Sequence, residues 1–471
     1  MDLEFGVYTD YKGYEDYNEV LETSYDNDII TPRRVVVQML NLLPDDVWNS
    51  RTTFLNIACK NGIFLQFILN RLMRELESEI PDANMRKQHI LNNQLYGIAT
   101  NEITALVSNR RIYDEVLKPT NIKYIGALDR YNIKNYENKV KKEFGEDMKF
   151  DVIIGNPPYQ QAIASIYQYF IDASIDLKPN HIIMVVKNNW MKSDTLKITR
   201  DRMIDYGLAK IINYPIYNEV FECIDTPVNI FYINNKSTSQ FNFKEVRKGR
   251  VISEYRCNIK GYPIILNSVM ENNILGKIIK DLTKGSFRDR VLPTEPFRIT
   301  SNFNIGRGKN KYKLDYKDKK DDYYNIKVAY TDGSNNIRYV YTNSGNIPNR
   351  TELIDKYKIL SGGRLNRNKI VVTNINIIDK MSVCTSTWAV LYHSENKEEI
   401  DNVYCYIKTR FFRFLVRLLC DDGLINISPY RFSLVPIQDF SKRWSDDELY
   451  KKYNLSEDEI EYIKSKVDLI D

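Results

Sequence analysis

Along residues 31–236, short apolar runs alternate with stretches of helical period. Residues 1–30 show neither period; they are polar and tyrosine-rich and read as an irregular arm. Thr31-Pro32 then opens a helix, with Thr at the N-cap and Pro at the first helical position. Val36, Met39, Leu40 and Leu43 follow at helical spacing, and Pro44 ends it. Strands are predicted at 53–57, 94–99, 122–127, 150–154, 181–186, 209–214 and 228–233. Helices fall between them, one carrying Phe64, Phe67, Ile68, Met73 and Leu76, one through 104–107 and one at 166–177. This alternation predicts a doubly wound α/β domain with a mostly parallel sheet. Ligands of such sheets lie beyond the carboxyl ends of the strands, where loops 58–62, 128–132 and 155–159 fall.

The polar stretch 234–240 lacks an apolar period and is read as a domain boundary. The expected organisation is an arm (1–30), a catalytic domain (31–236) and a mixed α+β domain (237–471). Near its end, Ser445-x-x-Glu448 and Ser456-x-x-Glu459 each predict a capping box opening a helix.

Charge changes this picture. The chain has 471 residues and a net charge of +5, unevenly spread. Residues 1–235 hold 26 Lys+Arg against 32 Asp+Glu, and residues 236–471 hold 41 against 30. A basic second half points to a polyanionic partner held there, although a lysine-rich solvated surface gives the same composition. Six scattered cysteines without a C-x-x-C pair suggest neither a zinc site nor a disulfide framework. The three histidines have no metal-binding spacing, so no metal is expected. No apolar run approaches a membrane span, and the acidic start MDLEFGVYTD lacks signal-peptide features, so a cytoplasmic location is expected.

The sharpest chemical signal is Asp151-Val152-Ile153-Ile154-Gly155-Asn156-Pro157-Pro158-Tyr159. An exocyclic amino nitrogen is a poor nucleophile because its lone pair is delocalised into the ring. The Asn156 amide oxygen and the Pro157 carbonyl can each accept one N–H bond and turn the lone pair outward. Two successive prolines preorganise those acceptors. Tyr159 offers a flat face on which an extruded base can stack. A plain strand-ending turn would also use Asn-Pro, but not the whole group after an apolar strand.

These residues resemble the N6-adenine DNA methyltransferases of restriction–modification systems, more narrowly the Eco57I-type modification methylases. The resemblance implies a class I S-adenosylmethionine-dependent methyltransferase fold followed by a target-recognition domain. It also implies S-adenosyl-L-methionine as cofactor, with S-adenosyl-L-homocysteine as product. Thr31-Pro32 with Val36-Val37-Gln38-Met39-Leu40 is similar to the family's cofactor-proximal N-terminal motif. The run from Phe54 to Leu65, with Asn56, Ala58, Lys60 and Gly62, is similar to its cofactor loop. Leu95-Tyr96-Gly97-Ile98 with Glu102 matches the ribose-binding region, and Asp129 stands where an acid meets the cofactor's adenine. By the same resemblance Asn156 and Phe170 also line the cofactor site, and Phe221 stacks on the other face of the target base. Tyr406 to Phe414 and Val435 to Phe440 resemble the subfamily's recognition regions. Two positions depart: Asn56 replaces the usual acid, and Ala99 replaces another, for which Glu102 is the available substitute.

The resemblance implies double-stranded DNA as partner, a separate restriction endonuclease subunit, and a bacterial or phage-infected cell. Candidate DNA contacts are Arg364 and Arg367 in a glycine–arginine loop, and Arg410 and Arg413 on an apolar helix, where snorkelling around a core is the alternative. Two other readings stay open. Protein-glutamine methyltransferases share Asn-Pro-Pro-Tyr but are much shorter and lack a basic second domain. A non-catalytic DNA-binding specificity subunit would account for Asn56 and Ala99.

Overall fold

Strands that read as unbroken apolar runs should be covered on both faces, and they are. The computed structural model describes residues 30–113, 120–126, 135–161, 164–216, 220–221, 227–236, 240–258, 264–301, 303, 313–331, 336–362, 364–366, 371–420 and 424–469. They form two units, Met1–Ser268 and Val269–Asp471.

The first unit opens with α1 (Arg33–Leu40), whose Val35, Val36, Met39 and Leu40 are buried. Pro32 is the N-cap itself, so Thr31 lies one residue outside the helix rather than capping it. There follow β1 (Phe54–Cys59), α2 (Ile63–Glu75), α3 (Ala83–Asn93), β2 (Leu95–Ala99), α4 (Glu102–Tyr113) and β3 (Ile122–Tyr124). Then come α5 (Tyr136–Phe144), β4 (Val152–Gly155), the two-residue strands β5 (Gln160–Gln161) and β6 (Ala164–Ser165), and α6 (Tyr167–Asp176). The unit continues through β7 (His181–Lys187), α7 (Lys197–Asp205), β8 (Leu208–Tyr214), β9 (Val228–Asn234), β10 (Gln240–Arg247) and β11 (Arg250–Asn258).

One nine-stranded sheet runs β11-β10-β8-β9-β7-β4-β1-β2-β3. The pairs β3·β2, β2·β1, β1·β4, β4·β7 and β8·β10 are parallel, and β9 runs antiparallel to both its neighbours. This is the α/β architecture expected. The strands divide their side chains between two cores. Phe54, Val152 and Ile154 pack with α1 and α2. Leu55, Ile57 and Ile153 pack with α5 and α6. The carboxyl ends of β1, β2, β4 and β7 therefore lie side by side. Loops 58–62 and 155–159 emerge there, whereas 128–132, with Asp129, lies outside the described residues.

The expected boundary at 236 is corrected. β10 and β11 extend the first unit's sheet, and Phe241 and Phe243 are buried in its core. The polar stretch therefore falls between β9 and β10, two strands of one sheet, and not between two domains.

The second unit mixes small sheets with helices. β12 (Ile326–Thr331) pairs with β13 (Ile337–Thr342) and β17 (Ser382–Cys384). β14 (Tyr357–Gly362) pairs with β16 (Asn376–Ile378) and β18 (Trp388–Ser394), and β15 (Arg364–Asn366) with β19 (Leu424–Asn426). Its helices are α8 (Val269–Leu282), α9 (Lys397–Lys408), α10 (Arg410–Leu418), α11 (Asp446–Lys452) and α12 (Glu457–Lys466). Both predicted capping boxes are formed, Ser445 with Glu448 and Ser456 with Glu459. Among the described residues no helix is long and apolar enough to cross a membrane.

Candidate active site

A cleft opens at the carboxyl edge of β1 and β4, lined by Thr31, Asn56, Ala58, Lys60, Asn61, Gly62, Ile63, Phe64 and Asn156. Six residues singled out from the sequence thus meet in one place, although Thr31 and Asn156 are 125 positions apart. Local structure explains the cleft. At the end of β1 the Asn56 Oδ1 accepts a bond from the Ala58 amide (3.3 Å). Asn61 Oδ1 accepts from the Ile63 amide (3.2 Å), turning the chain into α2. Gly62 has a left-handed φ of 74°, and a Cβ there would lie 3.2 Å from the Ser108 Cα. A side chain is excluded on both counts. At Gly155 a Cβ would lie 3.2 Å from Ile57 Cγ2 and 3.5 Å from Asn56 Oδ1, so glycine lets β4 approach β1 beside the cleft.

The first residues of α2 line the cleft, and the first amides of a helix have no intrahelical acceptor. They suit a carboxylate or other anionic group. Beneath the loop, Cys59 Sγ donates to Ser108 Oγ (3.2 Å), and Ser108 Oγ donates to the Lys60 carbonyl (3.0 Å). Burial pushes the Cys59 thiol up to about 11, so it remains a neutral packing group.

Asn156 is 1% exposed, and its Nδ2 donates to Thr31 Oγ1 at 3.1 Å. Pro157 is buried beside it. Tyr159 is buried, in one apolar cluster with Phe221, Tyr214 and the inner face of α1. Its hydroxyl has no hydrogen-bond partner among the described residues. Burial, then neighbouring Tyr167, pushes its phenol well up, so Tyr159 offers a neutral ring rather than a base. The Arg34 Nη2 donates to the Val220 carbonyl (3.3 Å) and the Tyr214 hydroxyl to Gln38 Oε1 (2.7 Å). Helix α1 therefore holds the segment bearing Phe221, and Thr31 just before the helix holds Asn156. Beyond the motif, Lys187 at the end of β7 donates to Gln160 (2.9 Å), and burial lowers its ammonium pKa.

Other expected residues lie elsewhere. Glu102 is exposed at the first turn of α4 and does not line the cleft. Phe170 is fully buried against Tyr136, their ring centroids 5.5 Å apart, and also does not line it. Arg413 is corrected as a DNA contact. It is fully buried, its Nη2 donates to the Asp468 carbonyl (2.6 Å) and its Nε to those of Lys408 and Thr409. Burial lowers its pKa to about 10. Arg410 is partly buried; Arg367 lies outside the described residues, and Arg364 is described only by its place in β15. Asn61, Ile63 and Phe64 lay within the run likened to the cofactor loop but were not singled out as site residues, although they line the cleft.

The pattern of the Eco57I restriction-modification methylase family matches residues 93–221, which include the Asn156 loop and end at Phe221. An uncharacterized adenine-specific methylase of Mycoplasma pneumoniae is 30% identical over 249 residues, 38% of this chain and 59% of that protein. Among solved structures, a nuclease-deletion mutant of the Type ISP restriction-modification enzyme LlaGI, in complex with a DNA substrate mimic, is similar over 96% of this chain and 48% of its own. The TM-score is 0.53 at 11% identity, a likeness of fold. The Type IIL restriction-modification enzyme MmeI in complex with DNA is similar over 84% of this chain and 66% of its own, with a TM-score of 0.48 and 11% identity. The chain thus spans 59% of the curated relative and about half of the LlaGI chain.

Proposed function

We propose that this chain, with the Eco57I-type methylase pattern over residues 93–221, is an adenine-specific DNA methyltransferase acting on the N6 amino group. The observation that carries the proposal is the joining of the Asn156 loop to the cleft at the ends of β1 and β4. An amide acceptor and a glycine-turned anion cradle share one wall there. The cleft suits S-adenosyl-L-methionine: the α2 amides and Gly62 turn fit its carboxylate, and Asn56, Lys60 and Thr31 supply polar contacts. When bound, that cofactor supplies an electrophilic methyl group.

The chain's own residues prepare the nucleophile. Asn156 is held by Thr31 with its Nδ2 as donor, so its Oδ1 is the atom that accepts from the amino group. The Pro157 carbonyl accepts the second N6–H. Together they localise the nitrogen lone pair and stabilise the positive charge that develops before N6 releases a proton. Tyr159, kept neutral by burial, and Phe221 provide ring faces for a base extruded from the duplex. Double-stranded DNA is the proposed partner, and the setting a restriction–modification system with a separate nuclease subunit.

Asn156 and Tyr159 variants test this because they should fail differently. Asn156→Ala should nearly abolish methylation while cofactor and duplex binding persist, since its acceptor acts mainly in the transition state. Tyr159→Phe should be mild and Tyr159→Ala severe, as stacking is worth roughly 1–3 kcal/mol. Wild-type methylation by Asn156→Ala would show that the motif is only a turn.

A further inference from the structure

The excess of basic residues is concentrated where the sheet leaves the cleft. Residues 236–268 hold seven Lys+Arg against two Asp+Glu, and they belong to the catalytic unit. Much of this charge sits on the β10–β11 hairpin. Its turn is Lys248-Gly249, both at positive φ (49° and 68°), the two-residue form that matches the strands' twist. Arg247 and Arg250 face each other directly across the last rung. Arg247, Lys248 and Arg250 are all exposed.

Like charges opposite one another weaken a hairpin, and of the hairpin's two acids only Glu245 reaches this tip. Glu254 is engaged by Lys244 (3.3 Å) and Glu245 by Arg247 (2.7 Å). Arg247 is thus offset in part, and three exposed cations against one acid leave the tip with the excess positive charge that suits a polyanion.

Direction and register place that tip. β7 runs parallel to β4, β9 antiparallel to both β7 and β8, and β10 parallel to β8. β10 therefore points the same way as β4. Glu245 is in register with Asn213, next to the carboxyl end of β8. The tip thus emerges on the edge of the sheet that carries Asn156, on the side of β4 away from β1. Four strand spacings of about 4.8 Å separate β10 from β4, roughly 19 Å. That distance corresponds to about five or six base pairs at 3.4 Å of rise.

We propose that the hairpin tip, Arg247, Lys248 and Arg250, is a second DNA contact, holding backbone phosphates several base pairs from the methylated base. The inference rests on the proposed function, which fixes the duplex at this edge. The contact is to phosphate, so it adds affinity without sequence preference. It also keeps the duplex against the catalytic edge.

The test uses the full chain and a 30-base-pair duplex, with binding measured by fluorescence anisotropy across a salt series. The Lys248→Gln/Arg250→Gln double variant should lower the slope of log K against log salt by up to about 1.8, about 0.9 per phosphate contact. At moderate salt it should raise the KM for DNA severalfold and leave kcat unchanged. A charge-matched control, Lys149→Gln/Lys178→Gln, alters exposed lysines just before β4 and β7, at the opposite edge of the sheet. It should leave the slope at the wild-type value. An unchanged slope in the hairpin variant, or an equal fall in both variants, overturns the inference while adenine methylation by the wild type still stands. A wild type that binds a single-stranded RNA of equal length more tightly than the duplex also overturns it. A wild type that methylates no adenine removes the proposed function, and this inference with it.

Discussion

Replacing Thr31 by Val tests whether the orientation of the Asn156 amide matters for catalysis. The substitution keeps the shape of a side chain that is 3% exposed and deletes the hydroxyl that accepts from Asn156 Nδ2 at 3.1 Å. An amide has one acceptor end and one donor end, and only the acceptor end can activate an amino group. Leaving the buried N–H to face a methyl group costs about 1–3 kcal/mol. If that energy holds the productive orientation, kcat falls by about 5- to 150-fold. Single-turnover transfer of a labelled methyl group to DNA reads this directly, with cofactor affinity measured alongside. Thr31→Ser should restore most of the rate. In an Asn156→Asp background the two carboxylate oxygens are equivalent acceptors, so Thr31→Val should cost much less there. A wild-type rate for Thr31→Val, or an equal loss in both backgrounds, would refute the orientation argument.

Two further outcomes are expected. Asn56→Asp should tighten cofactor binding by the free enzyme in calorimetry, because a carboxylate keeps the acceptor used by the Ala58 amide and can pair with the cofactor's positive groups. Unchanged or looser binding would mean that the bound cofactor brings no positive group to position 56. In the second unit, burial lowers the Lys358 ammonium to about 8. The unfolded chain then holds more protons between about pH 8 and 10.5, so this group's contribution to stability rises with pH across that window. The stability difference between Lys358→Met and wild type, followed by denaturant unfolding, should shift toward wild type from pH 7.5 to 9.5. A pH-independent difference would show that folding does not lower the pKa of this lysine.

Much of the catalytic unit was legible because both signals behind it are local. Continuous apolar runs mark strands covered on two faces, and 53–57, 150–154 and 181–186 each fall within a residue or two of an observed strand. The Asn156 motif and the Gly62 turn were legible because proline and glycine restrict backbone in ways a sequence displays. Helix α3 was missed because ANMRKQHILNN buries only Arg86 and Ile90 and shows almost no apolar stripe. The β10–β11 hairpin was missed although Phe241 and Phe243 alternate with polar residues, because the preceding polar loop read as the end of a domain. The bond from Asn156 to Thr31 spans 125 positions and leaves no local trace. Arg413 misled for a related reason. An arginine on an apolar helix looks like a surface cation until it is seen buried, with its Nε and Nη2 donating to the carbonyls of Lys408, Thr409 and Asp468. Phe170 was placed by resemblance and Glu102 as a substitute for the acid absent at Ala99, yet one packs inside a core and the other faces solvent.

The central claim is most directly tested by the product of the reaction. The full chain would be incubated with S-adenosyl-L-methionine carrying an isotopically labelled methyl group and mixed-sequence duplex DNA, which is then digested to nucleosides and resolved by mass spectrometry. Label is expected in N6-methyldeoxyadenosine, present with wild type and nearly absent with Asn156→Ala. Label in another nucleoside, label on protein alone, or no label from a preparation that binds the cofactor would contradict it.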